Sequence, residues 1–324
     1  MPDLWRLLQP FFFALLISAL ATPLAISIAH RAGVVKQPRD RDVHAVPTPE
    51  WGGIAIYLGF VLSLVIVLGT QSRSFGASLG DQRLLGILLG TTLAGLLGAA
   101  DDRYHIPAKL KLLGQIACAA VLLLFGVRIE FLSNPFQGQV MITLHPWLGM
   151  GLTILWVVAI TNAVNLIDGL DGLAAGVSAI ACIAFTCLAV LSRQSLVAVM
   201  AACLAGGAIG FLPYNFNPAR VFMGDLGSHL LGYALGALSV LGAFKVAASL
   251  ALVLPVLALA VPIFDTAFAI ARRARNGKPI FRADKDHTYH RLLARGLNQR
   301  QVVLIMYAIS AAFAVIAYLI ARRA

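Results

Sequence analysis

The sequence predicts an all-α integral membrane protein, a single polytopic domain over residues 1–324 with about ten transmembrane helices, and three observations lead there. Hydrophobic residues make up 60% of the chain and charged residues 12%, with a mean hydropathy of +0.86, too little polar surface to cover a soluble globule of this length. Ten apolar runs can be drawn, each long enough to cross about 30 Å of hydrocarbon as a helix. Eleven of the fourteen Asp and Glu residues collect where five connections on one side meet those runs. Acidic groups near hydrocarbon are costly and do little to orient a chain, so this clustering calls for a chemical reason.

In order, the spans fall at about 11–29, 52–69, 84–100, 110–127, 149–166, 173–191, 196–212, 226–243, 247–268 and 301–321. The first reads as a retained helix. It is long for a secretory signal, and Thr22-Pro23 with His30-Arg31 offers no small-residue cleavage site. Cys118, Cys182, Cys187 and Cys203 lie inside spans at no metal-type spacing and read as packing residues. On the outer side only residues 128–148 stand out, where Ile129-Glu130-Phe131 and the run 139–144 flank Asn134-Pro135 as in a small β-hairpin. There is no internal repeat, low-complexity tract or detachable second domain.

Lys and Arg counts in alternate connections set the orientation. With the amino terminus outside, the inner connections hold 17 and the outer side 8, which satisfies the positive-inside rule although Arg322 and Arg323 at the far end count against it. The acidic clusters then face the cytoplasm across an inner (plasma) membrane, with both termini outside. The net charge of +11 comes mostly from residues bordering spans, where they suit anionic lipid of the bilayer. Without a zinc pattern, RNA-binding signature or detached basic domain, the charge does not indicate a nucleic-acid partner.

The inner connections carry the chemistry. Span 3 ends on Asp101-Asp102, and span 4 begins with Lys111 and, one turn later, Gln115. Adjacent carboxylates repel unless a cation or hydrogen-bond donors hold them, and a divalent ion or Lys111 would do so; a solvated helix end is the plainer alternative. Between spans 5 and 6, Asn162, Asn165 and Asp168 recur every three residues on one helix face, with Asp171 continuing it if the helix persists. Gly169 and Gly172 interrupt that helix but let backbone approach a ligand. Between spans 7 and 8, Tyr214, Asn215, Phe216, Asn217 and Phe222 interleave aromatics with amides, as a planar ring requires. Gly224-Asp225 then presents a carboxylate at a helix start, a setting for magnesium and phosphate. An interfacial aromatic belt with Asp225 as N-cap is the alternative there.

The longest inner segment follows span 9 and holds Asp265, Arg272, Arg273, Asp284, Asp286, His287, His290 and Arg291. Two histidines three apart, with no third ligand beside them, make a poor zinc site, whereas clustered arginines read phosphate oxygens. The first inner loop adds His44 and then Pro47-Thr48-Pro49-Glu50-Trp51-Gly52-Gly53.

Taken in order, these five segments resemble the WecA- and TagO-like polyprenyl-phosphate N-acetylhexosamine-1-phosphate transferases of glycosyltransferase family 4, related to MraY. The likeness covers about residues 35–295. It rests on Pro47-Thr48-Pro49 with Gly52-Gly53, Asp101-Asp102 with Lys111 and Gln115, the run from Asn165 to Asp171, Asn215 through Phe222-Met223-Gly224-Asp225, and Asp284-Lys285-Asp286-His287 with His290-Arg291. The resemblance implies transfer of a sugar-1-phosphate, most readily GlcNAc-1-phosphate, from a UDP-N-acetylhexosamine to a polyprenyl phosphate such as undecaprenyl phosphate. UMP is released and a polyprenyl-diphosphate-sugar remains, the first membrane step of a cell-envelope polysaccharide. By the same likeness Asp225 binds Mg2+, with Mn2+ as substitute, and Asp101 and Asp102 face the lipid phosphate and the metal. Asn215, Phe222 and Asp171 lie around the uridine, and Arg273, His287 and His290 near the diphosphate and sugar. Lys111 and Asp168 join the catalytic set, Asn165 and His44 the substrate-binding set. The chain departs from the family pattern at Tyr289, where a histidine is common, and at Glu50, where a basic or neutral residue is usual.

The chemistry agrees. A phosphate monoester has its second pKa near 6, so a lipid phosphate is largely dianionic at neutral pH and chiefly needs its repulsion from the donor screened. A carboxylate-held Mg2+ with Arg and Lys supplies that screening. Direct displacement is favoured, with Asp101 or Asp102 as positioner or base, while an aspartyl-phosphate intermediate stays open. Within the family, phospho-N-acetylmuramoyl-pentapeptide transfer ranks lower, because the last motif has the Asp-x-x-His-x-x-His-Arg spacing. A secondary transporter would place its acids at the midplane in paired repeats, and a purely structural membrane protein leaves the grouped acids unexplained. A homodimer is one expected assembly.

Overall fold

The computed structural model describes residues 4–37, 46–76, 78–133, 141–242, 253–275 and 288–323. Helices follow the apolar runs: α1 (Leu4–Arg31), α2 (Gly53–Phe75), α3 (Gln82–Tyr104), α4 (Ala108–Leu124), α5 (Pro146–Ile167), α6 (Leu173–Leu191), α7 (Ser195–Asn215), α8 (Gly224–Gly242), α9 (Val253–Ala258), α10 (Ala260–Arg275), α11 (Thr288–Ala294) and α12 (Gln299–Arg323). A helix meets its own backbone hydrogen bonds, which is why apolar sequence in lipid takes this form. Two short antiparallel ladders complete the secondary structure among the described residues. One pairs β1 (Val35–Lys36) with β2 (Thr48–Pro49), and the other pairs β3 (Phe131–Ser133) with β4 (Met141–Thr143). The second ladder places strands where the hairpin is expected; its turn lies outside the described residues.

Seven of the described helices, α1, α2, α3, α5, α6, α7 and α12, are long and apolar enough to cross a membrane. The other three expected spans also coincide with helices, which among the described residues are shorter or less apolar. The 110–127 run becomes α4, of 17 residues. The 226–243 run becomes α8, whose first turns carry Asp225, Ser228 and His229. The 247–268 run is divided, its described part forming α9 and α10 with a turn at Leu259 between them.

α8 is the axis of the bundle. Every residue in it except Asp225 and Leu241 is buried, against α3 and α5 chiefly and against α2, α6 and α7 as well. A helix apolar on all sides belongs in such a position. α1 packs on α7 and α2, and α6 on α7 and α12. Contact between α3 and α8 is at backbone distance, since a Cβ on Gly98 would run into the carbonyl of Asp225. Only a small residue allows helices to approach this closely. The outcome is that the inner end of α3 and the start of α8 meet directly.

Candidate active site

Three helices deliver one charged cluster. Asp101 ends α3, Lys111 lies in the first turn of α4 and Asp225 in the first turn of α8, and Lys111 Nζ donates to Asp101 Oδ2 and to Asp225 Oδ2 at 2.6 Å each. An ammonium between two carboxylates offsets the repulsion expected of grouped acids. The other oxygens are also engaged. Asp101 Oδ1 accepts from the Ile106 amide (2.7 Å), bracing the α3–α4 turn, and Asp225 Oδ1 accepts from Asn165 Nδ2 (2.7 Å), which also donates to Ser228 Oγ (2.9 Å).

Asp102 serves the neighbouring helix. Its Oδ1 accepts from the Asp225 amide at 2.7 Å and its Oδ2 from the Leu226 amide at 3.1 Å, so the carboxylate closes the N-terminus of α8 from outside the helix. Those amides have no intrahelical partner, and a negative charge there suits the helix dipole. The approach depends on Gly224, which adopts φ +73° and whose Cβ, if present, would lie 2.6 Å from Asp102 Oδ2.

Backbone hydrogen bonds stitch the loop before α2 to the loop between α7 and α8. Gly52 N donates to Phe222 O (2.9 Å), Gly53 N to Met223 O (3.1 Å) and Phe222 N to Pro49 O (2.8 Å). Across this seam Lys36 pairs with Glu50 (3.6 Å) and its Nζ lies 5.6 Å from the centre of the Phe222 ring. Burial pushes the Glu50 carboxyl up, opposed by Lys36. Asp168 caps the C-terminus of α5. Enclosure by protein pushes its carboxyl up to about 7 against the pull of Lys36, with repulsion from Asp225, Glu50 and Asp171 adding to the rise.

Asp171 and Asn215 bind their own chain. Asp171 Oδ2 accepts from Asn217 Nδ2 (3.0 Å) and the Ala219 amide (3.1 Å). Buried Asn215 accepts from Gly172 N (3.1 Å) and donates to Val221 O (3.0 Å). Together they fasten the loop after α5 to the loop after α7. Buried Arg273 lies in the last turn of α10, and Asp265 on the same helix accepts from the Thr288 amide (2.8 Å), fixing α11. Tyr289 is buried on α11 with its hydroxyl against Gly169, beside Asp168, and its ring stacks at 4.3 Å on His290. Burial, with Asp265 and Asp168 nearby, raises the Tyr289 hydroxyl's pKa, so it stays a phenol.

Of the residues singled out in sequence, the structure thus joins Asp101, Asp102, Lys111, Asn165 and Asp225 directly, and sets Asp168 and Phe222 around them. Arg273 and His290 stand on the α10–α11 side, and His44 and His287 lie outside the described residues. Lys36, Ser228 and His229 belong to the site and were not singled out. Ser228 and His229 could have been found from their helical spacing, three and four residues after Asp225. Lys36 had no distinguishing signal, because an interfacial lysine looks the same wherever it points.

The donor set suits a hard cation. Asp101 Oδ2 and Asp225 Oδ2 are anionic oxygens already flanking one positive group, Lys111 Nζ. Among the described residues no three His, Cys, Asp or Glu side chains converge as a closed metal cage. Two carboxylate oxygens are a donor set that a hard cation such as Mg2+ can share with water and substrate phosphates.

The fold is an all-α membrane bundle with a polar cluster at one end, and its relatives make it a membrane-embedded transferase of phosphate-linked groups. The sequence profile of Glycosyl transferase family 4 matches residues 84–243, and the chain belongs to that family. It is 39% identical, over 96% of its length and 84% of the other protein's, to the probable undecaprenyl-phosphate N-acetylglucosaminyl 1-phosphate transferase of Bacillus subtilis. It is 40% identical to the decaprenyl-phosphate N-acetylglucosaminephosphotransferase of Mycobacterium tuberculosis, over 91% of this chain and 77% of that one. A phospho-N-acetylmuramoyl-pentapeptide-transferase of Desulforudis audaxviator is more distant, at 31% over 94% of both chains.

Proposed function

We propose that this protein transfers N-acetylglucosamine-1-phosphate from UDP-GlcNAc to a polyprenyl phosphate at the inner face of the plasma membrane, releasing UMP and leaving a polyprenyl-diphosphate-sugar. The observation that carries this reading is the Asp101–Lys111–Asp225 cluster, held at the ends of helices where a water-soluble donor and a lipid-anchored acceptor can meet. Relatives that share most of the chain's length carry names for this reaction.

In the proposed step an oxygen of the lipid phosphate attacks the β-phosphorus of the donor. The bond from that phosphorus to the bridging oxygen breaks, and UMP departs with the oxygen and the electron pair. Asp225 and Asp101, whose Oδ2 atoms flank Lys111 Nζ, would hold Mg2+, which supplies charge neutralisation and alignment of the diphosphate when bound, while Asp102 fixes Asp225 through the α8 amides. The chain's own residues do the rest. Lys111 offers an ammonium whose third proton is free to meet a phosphate oxygen, and Asp101 and Asp225 fix its position. Asn165 holds the second oxygen of Asp225 so that its carboxylate keeps one orientation. Asp168, with a pKa of about 7, is matched to a phosphate monoester whose second pKa is about 6, and it accepts the last proton of the lipid phosphate. Phe222, with Lys36 over its ring, presents a flat surface for the uracil.

The test is UMP release by purified protein given polyprenyl phosphate and a panel of UDP-sugars, including the muramoyl-pentapeptide donor. UDP-GlcNAc is expected to be used best. EDTA should stop the reaction, and added Mg2+ or Mn2+ should restore it. Preference for the pentapeptide donor would move the protein to the other branch, and absence of UMP with every donor would overturn the proposal.

A further inference from the structure

One turn beneath Lys111, Asn165 and Asp225 lies a second set of polar residues on the same three helices, α4, α5 and α8. Gln115 follows Lys111 by four residues on α4, His229 follows Asp225 by four on α8, and Asn162 precedes Asn165 by three on α5. Each step moves one turn further into the bundle, about 6 Å on α4 and α8 and about 4.5 Å on α5, so the upper three residues and the lower three are in register. Gln115 and His229 are buried, and Asn162 is nearly so.

The lower set has a closed hydrogen-bonding pattern. His229 Nδ1 lies 2.8 Å from the carbonyl oxygen of Asp225. A carbonyl can only accept, so Nδ1 carries the proton and Nε2 has a lone pair. Gln115 Nε2 donates to that lone pair at 2.9 Å, and its second hydrogen points to Asn162 Oδ1 at 3.4 Å. Gln115 Oε1 accepts from Asn162 Nδ2 at 2.7 Å, and the other Asn162 hydrogen goes to Val158 O at 2.8 Å. Turning either amide over would set donor against donor or acceptor against acceptor. A fully satisfied buried network of this kind admits one arrangement, whereas a partly satisfied one is costly.

We infer that Gln115, His229 and Asn162 are positioning residues for the transfer reaction: they lock α4, α5 and α8 in height and rotation so that Lys111, Asn165 and Asp225 meet in the layer above. Nothing in the proposed chemistry requires these three to touch a substrate, and the carbonyl that His229 holds belongs to Asp225 itself. Plain packing would be served by apolar side chains at all three positions without the desolvation cost of two amides and an imidazole. The inference rests on the proposed function for its kinetic consequence and not for its geometry.

Two measurements test it. In protein labelled with 15N-histidine, the wild type should show His229 as a single neutral tautomer, protonated at Nδ1, and Gln115→Leu should keep that tautomer but shift the Nε2 resonance, since its lone pair loses its donor. In the UMP-release assay, Gln115→Leu and His229→Leu should each lower kcat at least tenfold while KM for both substrates stays within about threefold. The double variant should lose no more than about threefold beyond either single one, since the two residues act as a unit. A protonated or Nε2-H tautomer in the wild type would overturn the inference without any variant. So would additive losses, or losses confined to KM. A wild-type protein that releases no UMP would remove the functional proposal alone, because the tautomer still reports on the lower layer.

Discussion

The α1–α7 contact and the α3–α8 contact use the same device for different ends. In each, a glycine lets a helix meet the backbone of its neighbour: a Cβ on Gly206 of α7 would strike the carbonyl of Phe11 on α1, as one on Gly98 of α3 would strike that of Asp225 on α8. Around Gly206 the neighbouring residues are apolar and the contact does nothing but pack. Around Gly98 the same closeness brings Asp102 onto the amides of α8 and Asp225 onto Lys111. Close packing is therefore a scaffold in one half of the bundle and a way of setting charge positions in the other.

The largest effect that separates the two halves should come from Asp225→Asn. Loss of its charge is expected to lower turnover by at least about 10²- to 10³-fold, with a loss of stability no larger than the one charge-assisted bond to Lys111 accounts for, about 1.5–3 kcal/mol. Near-normal turnover would detach the charged cluster from the chemistry. Next, Asp102→Asn replaces an acceptor by an amide that cannot serve both α8 amides. A loss of about 1.5–3 kcal/mol per charge-assisted hydrogen bond is expected, visible as a lower melting temperature together with reduced kcat. The glycines then sharpen the contrast. Gly206→Ala should lower the melting temperature while the surviving protein keeps its specific activity, and Gly98→Ala should lower kcat more than a matched loss of stability explains. Equal behaviour of the two would erase the distinction.

A smaller effect follows from Asp168. Its carboxyl is raised from an ordinary value of 3.8 to about 7, so the folded protein binds its proton more readily than the unfolded chain does. The stability this contributes is complete below the ordinary value and is lost as pH rises through about 7. Activity should run the other way, rising through pH 7 as the carboxylate forms. Asp168→Asn should lower the rate and leave only the acceptor's own ionisation near pH 6; an unchanged profile would remove Asp168 from proton transfer. Smallest of all is Glu50→Gln. The ion pair with Lys36 is partly exposed, so well under about 1 kcal/mol of stability is at stake, and a shift of a few-fold in KM for the donor is the expected sign.

Much of this was legible in the chain. Apolar runs gave most of the helices and two strand-like segments gave the outer hairpin, because in lipid hydropathy and backbone satisfaction leave few options. The i to i+4 spacing of Lys111 and Gln115 and the three-residue spacing of Asn162 and Asn165 placed those residues on shared faces. Less legible were Asp171 and Asn215. A carboxylate or amide in a glycine-rich loop has the same signature whether it holds a ligand or the next loop, and here both brace loops. His229 was hidden by its apolar neighbours, since a lone histidine in a buried run usually reads as packing. The turn at Leu259 was also invisible, as hydropathy stays high across it.

The seam between residues 49–53 and 222–223 is made of main-chain groups, and Gly52 and Gly53 in it leave no room for a side chain, since a Cβ on either would lie 2.4 Å from Phe211 or Gly227. At its other positions the frame asks for main-chain groups alone. Descendants of this gene could exchange the residues facing a sugar, or trade Glu50 for another charge, without loosening the walls of the pocket, and donor preference could drift among relatives that retain one unaltered framework.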